Sequence, residues 1–98
     1  MTDIEDKYQE FLNLGFPDIT GEQFFELTSL DSFSAGIIDT YITRKGKLSK
    51  LDFKLLVKLN LELKSAIKEL NGVELTYFSF LSDLVNQIHS EIKKQQTN

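Results

Sequence analysis

The chain has 98 residues, a length typical of one domain built around one hydrophobic core. It contains no cysteine, which excludes disulfide bonds and thiol chemistry, and its net charge of −4 argues against nucleic acid as the main partner. Because no apolar run reaches the roughly 18–20 residues of a membrane span and residues 1–6 are acidic where a signal peptide is basic, we expect one cytoplasmic domain over residues 1–98.

The first predicted helix spans residues 2–14. Thr2 and Glu5 are spaced as a capping box, in which a hydroxyl and a carboxylate satisfy each other's backbone amides. Gly15 suits the left-handed conformation that ends many helices, and Pro17 prevents continuation. The apolar residues at helical spacing, which we expect to face inward, are Ile4, Tyr8, Phe11 and Leu12.

Two shorter helices are predicted next, from about Thr20 to Ser29 and from about Ser32 to Lys45. Thr20 is the expected cap of the second helix, and Asp31 caps the third after a break at residues 30–32. The third helix ends at Gly46, and its expected inward residues are Phe33, Ile37, Ile38, Tyr41 and Ile42. 

Gly36 lies in the middle of the third predicted helix. Glycine costs about 1 kcal/mol relative to alanine in a helix interior. We therefore expect a neighbouring helix to approach closely at this position.

The longest predicted elements are helices over residues 50–70 and 75–94, joined at Asn71-Gly72. Each carries one apolar seam with alternating steps of three and four residues. The seams are Leu56, Leu59, Leu63, Ala66 and Leu70 on the fourth helix, and Phe78, Leu81, Val85, Ile88 and Ile92 on the fifth. The short turn predicts an antiparallel hairpin with the seams facing each other. A strand over residues 73–80 is the alternative, because Asn-Gly favours hairpin turns and apolar and polar residues alternate there.

These elements predict an all-α fold. We expect a compact bundle of about five helices, built on the long hairpin, with the three shorter helices packed along one side.

Ser49 is the expected cap of the fourth helix, since it stands three residues before Asp52 in the capping pattern.

The fourth predicted helix also carries a basic face. Lys50, Lys54, Lys58, Lys64 and Lys68 fall within an arc of about 120°, opposite the apolar seam. Phe53, Val57 and Leu61 lie in the same sector at i, i+4 and i+8, and apolar residues flanked by lysines predict contact with an acidic, apolar surface. That surface is either the acidic segment 1–31 of the chain itself or a partner. The candidate partner surface is therefore Phe53, Val57, Leu61, Lys50, Lys54 and Lys58.

No catalytic, cofactor or metal site is expected. Residues 18–24 and 47–53 are spaced like the exit halves of EF-hand loops, but the ligand positions preceding them fall mostly on apolar or basic residues, which do not hold calcium. His89 is the only histidine, so a zinc site lacks ligands. The sequence contains no glycine-rich phosphate loop and no nucleophile elbow, and we expect a protein that is not an enzyme.

The main functional hypothesis is a small protein–protein interaction module, bacterial or phage-borne, acting as an adaptor, inhibitor or immunity-type regulator on an unidentified protein partner. Two alternatives stay open. One is a nucleic-acid-associated regulator that uses the lysine face of the fourth helix. The other is a structural homo-oligomer, such as a dimer formed through the long hairpin.

Overall fold

The computed structural model describes residues 2–19 and 21–96, with the side chains of Thr2 and Gln96 left out. Four helices account for the regular structure of these residues: α1 (Thr2–Leu12), α2 (Phe24–Thr43), α3 (Lys50–Ile67) and α4 (Gly72–Gln96). The predicted all-α class is confirmed. The strand considered for residues 73–80 is wrong, because this segment lies inside α4.

The predicted number of five helices is also wrong, since the second and third form one continuous helix, α2. Asp31 does not cap a helix; it lies in the middle of α2, and its Oδ1 accepts a hydrogen bond of 2.5 Å from the Tyr77 hydroxyl. The buried face of α2 runs through the predicted break without interruption: Leu27, Leu30, Ser34, Ile37, Ile38 and Tyr41. Burial of this face against the rest of the protein outweighs the local signal for a break. The proposed cap Thr20 lies outside the described residues.

Glycines with positive φ follow the ends of α1 and α2, although Lys45, with φ +56°, is the first left-handed residue after α2. Gly15 has φ +73° and Gly46 has φ +90°, the left-handed conformation that favours glycine. The Gly46 amide donates to the Tyr41 carbonyl at 2.8 Å, a six-residue bond typical of helix C-termini. Ser49 then caps α3 as predicted, its Oγ accepting from the Asp52 amide at 3.1 Å.

Helix α4 is the centre of the molecule, because it packs against α1, α2 and α3. It runs antiparallel to α3, with Asn60 opposite Asn86 and Phe53 opposite His89. The two predicted seams meet at this interface and are buried, except for the half-buried Ala66. Within the described chain, α1 makes no contact with α3, since the two helices lie on different sides of the bundle.

Candidate partner-binding surface

The outward side of α3 forms the lysine face, which we define as Lys50, Lys54, Lys58, Lys64 and Lys68 together with Val57 and Leu61. All five lysines are exposed. On the helical projection, Val57 and Leu61 occupy the centre of this face, with lysines on both sides and at both ends. An apolar centre surrounded by charge has the arrangement of a protein interface, in which a polar rim encloses an apolar core.

The three apolar residues of the predicted surface have different environments. The Phe53 ring lies parallel to the His89 imidazole, with centroids 5.7 Å apart and 6° between the planes, so α4 covers one side of it. Val57 is half-buried. Leu61 is 64% exposed. The stripe is therefore partly covered by α4 at Phe53 and exposed to solvent at Leu61.

Within the acidic segment 1–31, α1 does not cover the lysine face, whereas Glu26 in the first turn of α2 lines a groove together with Lys58. Helix α1, which carries much of that segment, packs on α4 and α2 and makes no contact with α3 within the described residues. Of the five lysines, Lys58 is paired in the structure with Glu62 of the same helix at 3.8 Å, and its side chain is still 72% exposed. Such exposed pairs contribute little binding energy and leave the charge accessible. The positive charge of α3 is thus presented to the solvent.

A second exposed apolar surface, outside the predicted partner surface, lies on α2. This aromatic face consists of Phe25, Ser29, Phe33 and Gly36. Phe25 is 79% exposed and Phe33 is 58% exposed, although Phe33 was expected to face inward. The helical face is uncharged, and Phe24 packs edge-on against Phe25 with centroids 5.4 Å apart. The signal that was available is the adjacent pair Phe24-Phe25, since two neighbouring residues do not share one face of a helix.

Gly36 does not have the role that was predicted for it. A Cβ atom built on Gly36 would find no atom within 4 Å, apart from its chain neighbours and its own helix backbone. No other helix of the described chain approaches closely there. The expected close approach is therefore absent, and the glycine is exposed on the aromatic face.

One groove lies beside these surfaces, and a larger one lies elsewhere on the bundle. The smaller, of about 270 Å³, runs between α2 and α3 and is lined by residues that include Phe33, Leu55, Lys58 and Glu62. It joins the aromatic face to the edge of the lysine face. The larger, of about 470 Å³, lies between α1 and α4. Its apolar floor includes Phe80, while Lys7, Glu10 and Asp83 give it charges of both signs. Neither groove gathers the nucleophile, base and oxyanion donors of a catalytic site.

Two polar groups with shifted pKa values, Asp31 and Tyr77, lie at the contact of α2 with α4. Burial raises the pKa of Asp31, and its hydrogen bond from Tyr77 offsets part of this effect. Burial and the neighbouring Asp31 carboxyl also raise the pKa of Tyr77 well above its ordinary value. The Tyr8 hydroxyl donates to the Ala35 carbonyl at 3.3 Å nearby. These bonds hold α1 and α4 to α2, which is a structural role.

Residues 2–19 and 21–96 contain no group of three or more His, Cys, Asp or Glu side chains placed to hold a metal ion. None of the helices in this part of the chain combines the length and the hydropathy needed to cross a membrane.

Comparison with known proteins found no match. No protein-family model, no curated protein and no solved structure matches this chain.

Proposed function

We propose that this protein is a protein–protein interaction module that binds its partner through the lysine face of α3. The observation that carries the proposal is the uncovered position of this face, with Leu61 64% exposed between lysines. Of the acidic segment 1–31, the internal candidate to cover it, α1 lies elsewhere in the described structure, and Glu26 of α2 lies beside the face only at Lys58. The proposal includes the roles of adaptor, inhibitor or immunity-type regulator, without catalysis and with a cytoplasmic location.

The composition of the face supports a protein rather than a nucleic acid. Val57 and Leu61 have no function against a phosphate backbone, whereas an apolar centre gains energy when a protein surface covers it. A nucleic-acid surface usually adds aromatic rings on which bases stack. Phe53, the aromatic residue in this sector, instead stacks on His89.

The decisive experiment places a charge at the centre of the lysine face. The Leu61→Asp variant is expected to lose the partner in affinity purification from a lysate of the organism that carries the gene. Its matched control is Phe25→Asp, at an apolar residue on another helix that is even more exposed. Circular dichroism and thermal unfolding check that both variants fold. The proposal fails if Leu61→Asp retains every partner that the wild type retains.

A second candidate function is self-association through the aromatic face of α2. The seams of the long hairpin are buried, so the hairpin does not offer them to a second copy. The aromatic face is exposed and uncharged, and two acidic copies meet there without repulsion between like charges. Gly36 leaves space for a second backbone. 

Sedimentation velocity over a range of concentrations tests this candidate. The wild type is expected to form a dimer that Phe25→Asp abolishes and Leu61→Asp leaves intact. A monomer at high concentration would dismiss it. The two variants thus serve as controls for each other, one for each surface.

A further inference from the structure

From the charge and shape of the lysine face, we infer that its partner presents an acidic amphipathic α-helix. This inference rests on the proposed function and names the chemistry of the partner. It makes three claims: the partner segment is helical, its apolar residues cover Val57 and Leu61, and its carboxylates lie beside the lysines.

Charge complementarity is the first argument. The lysine face brings five positive charges onto one side of a protein whose net charge is −4. The acidic residues of α3 itself, Asp52 and Glu62, project outside this arc on the helical projection. A basic partner would be repelled by the lysines and a neutral one would gain nothing from them, whereas carboxylates would gain from each contact and from faster association.

The arrangement of charges around the apolar pair is the second argument. On the helical projection, Lys54 and Lys58 lie on one side of the line through Val57 and Leu61, and Lys64 lies on the other side. Lys50 and Lys68 continue the line at its two ends. A matching partner therefore has an apolar stripe with carboxylates on both sides, which is the pattern of an acidic amphipathic helix.

Length is the third argument. From Lys50 to Lys68 the face extends for roughly 27 Å at 1.5 Å per residue, and it is one helix wide. A helix of about 15–20 residues covers such a face completely, packing as helices do when side-chain ridges fit grooves. A short extended peptide would contact only part of it.

The test is selection of helical binders from a phage-displayed library of random 20-residue peptides, with the full-length protein as the target. The enriched peptides are expected to carry an excess of Asp and Glu and to place apolar residues at i, i+3, i+4 and i+7. A synthetic enriched peptide should become helical on binding by circular dichroism. Its affinity, measured by fluorescence anisotropy, should fall at least about tenfold in the Lys54→Glu/Lys58→Glu variant and weaken as salt rises.

The charge control is Lys45→Glu/Lys47→Glu, which changes the net charge equally at two exposed residues outside the lysine face. It should reduce the affinity by less than about threefold. Enrichment of neutral or basic peptides overturns the inference, and so does a failure to enrich any peptide. Equal losses in the two charge variants also overturn it, because the lysine face would then have no specific role.

The outcomes separate this inference from the proposed function. If Leu61→Asp abolishes peptide binding while Lys54→Glu/Lys58→Glu does not, the lysine face is the binding surface, but the inference that the partner is acidic is wrong. If Leu61→Asp has no effect, the proposed surface itself is wrong. A random-sequence 20-bp DNA duplex is the competing probe. If the protein binds this duplex, and Lys54→Glu/Lys58→Glu abolishes the binding while Leu61→Asp does not, both the proposed function and this inference are overturned in favour of nucleic acid.

Discussion

Helix α3 carries two apolar stripes with similar helical spacing and different environments. Leu56, Leu59 and Leu63 are almost completely buried against the rest of the bundle, while Leu61 is 64% exposed between lysines. The difference arises from the positions of α4 and α2, which pack on the inner side of α3 and leave its outward side open in the described structure. An apolar stripe on a helix therefore identifies a contact surface, and the packing of the other helices decides whether that contact is internal.

The largest expected effect comes from the inner stripe. Leu63→Ala should destabilise the protein by about 2–5 kcal/mol, because it leaves a cavity where the side chain is fully buried. Leu61→Ala, two positions earlier, should change the free energy of unfolding by less than about 0.5 kcal/mol. Urea unfolding of both variants measures the difference. Similar losses in the two variants would show that the outer stripe is covered in solution.

The next effect concerns the polar contact inside the bundle. Tyr77→Phe removes the donor to Asp31 and leaves the partly buried carboxylate without this hydrogen bond. We expect a loss of about 1–3 kcal/mol, since an unsatisfied buried acceptor costs more than the bond gains. Tyr8→Phe is a matched comparison, because its hydroxyl makes a longer bond of 3.3 Å to a backbone carbonyl. Denaturant titration should give the smaller loss for Tyr8→Phe.

A substitution on the outer face of α2 is expected to have a smaller effect on stability, and to stabilise the protein. Gly36→Ala should stabilise the monomer by roughly 0.5–1 kcal/mol, because a Cβ fits there and alanine favours helix. Gly15→Ala is the control: its Cβ also finds space, but φ is +73°, so this change should destabilise. Thermal unfolding distinguishes the two signs. A Gly36→Ala variant that weakens dimer formation while stabilising the monomer would support the role of the aromatic face in self-association.

The smallest effect is a dependence on pH from Asp31. In the folded protein the pKa of Asp31 is raised above its ordinary value of 3.8. The protonated Asp31 side chain therefore makes its full contribution to stability below that pH. The contribution is lost as the pH rises through the raised pKa. The Asp31→Asn variant keeps an acceptor for Tyr77 and lacks this titration. The unfolding free energy of the wild type minus that of Asp31→Asn should therefore fall between acidic and neutral pH, and a constant difference would contradict the assignment.

The local signals that predicted the fold are those whose effect does not depend on distant residues. Gly15 and Gly46 adopt positive φ, Ser49 caps α3, and the seams of the hairpin are buried, as expected from spacing alone. The break at residues 30–32 was wrong because the buried face of α2 runs through it, and Asp31 bonds with Tyr77, 46 residues later in the chain, instead of capping a helix. A single sequence does not reveal such a partner, so local turn chemistry was overestimated.

The candidate surface was also predictable only in part, because helical spacing is local and the burial of each side chain depends on distant residues. The arc of lysines follows from helical spacing and is exposed as expected. The separate environments of Phe53 and Leu61 depend on the register of α3 against α4, which brings His89 to Phe53. The exposure of Phe33 depends on the direction in which the undivided α2 faces the core. Both require the tertiary arrangement, which propensity and spacing do not supply.

The placement of α1 and α3 on different sides of α4 separates the charges of the molecule. Acidic side chains lie on α1, and the lysines of α3 lie away from it, so these two helices contribute an electric dipole across the width of the protein in addition to its net charge of −4. In ion-exchange chromatography at low salt, such a molecule binds an anion exchanger through one side and a cation exchanger through the other. The same dipole would turn the molecule before contact, so that the lysine face leads as it approaches an acidic surface.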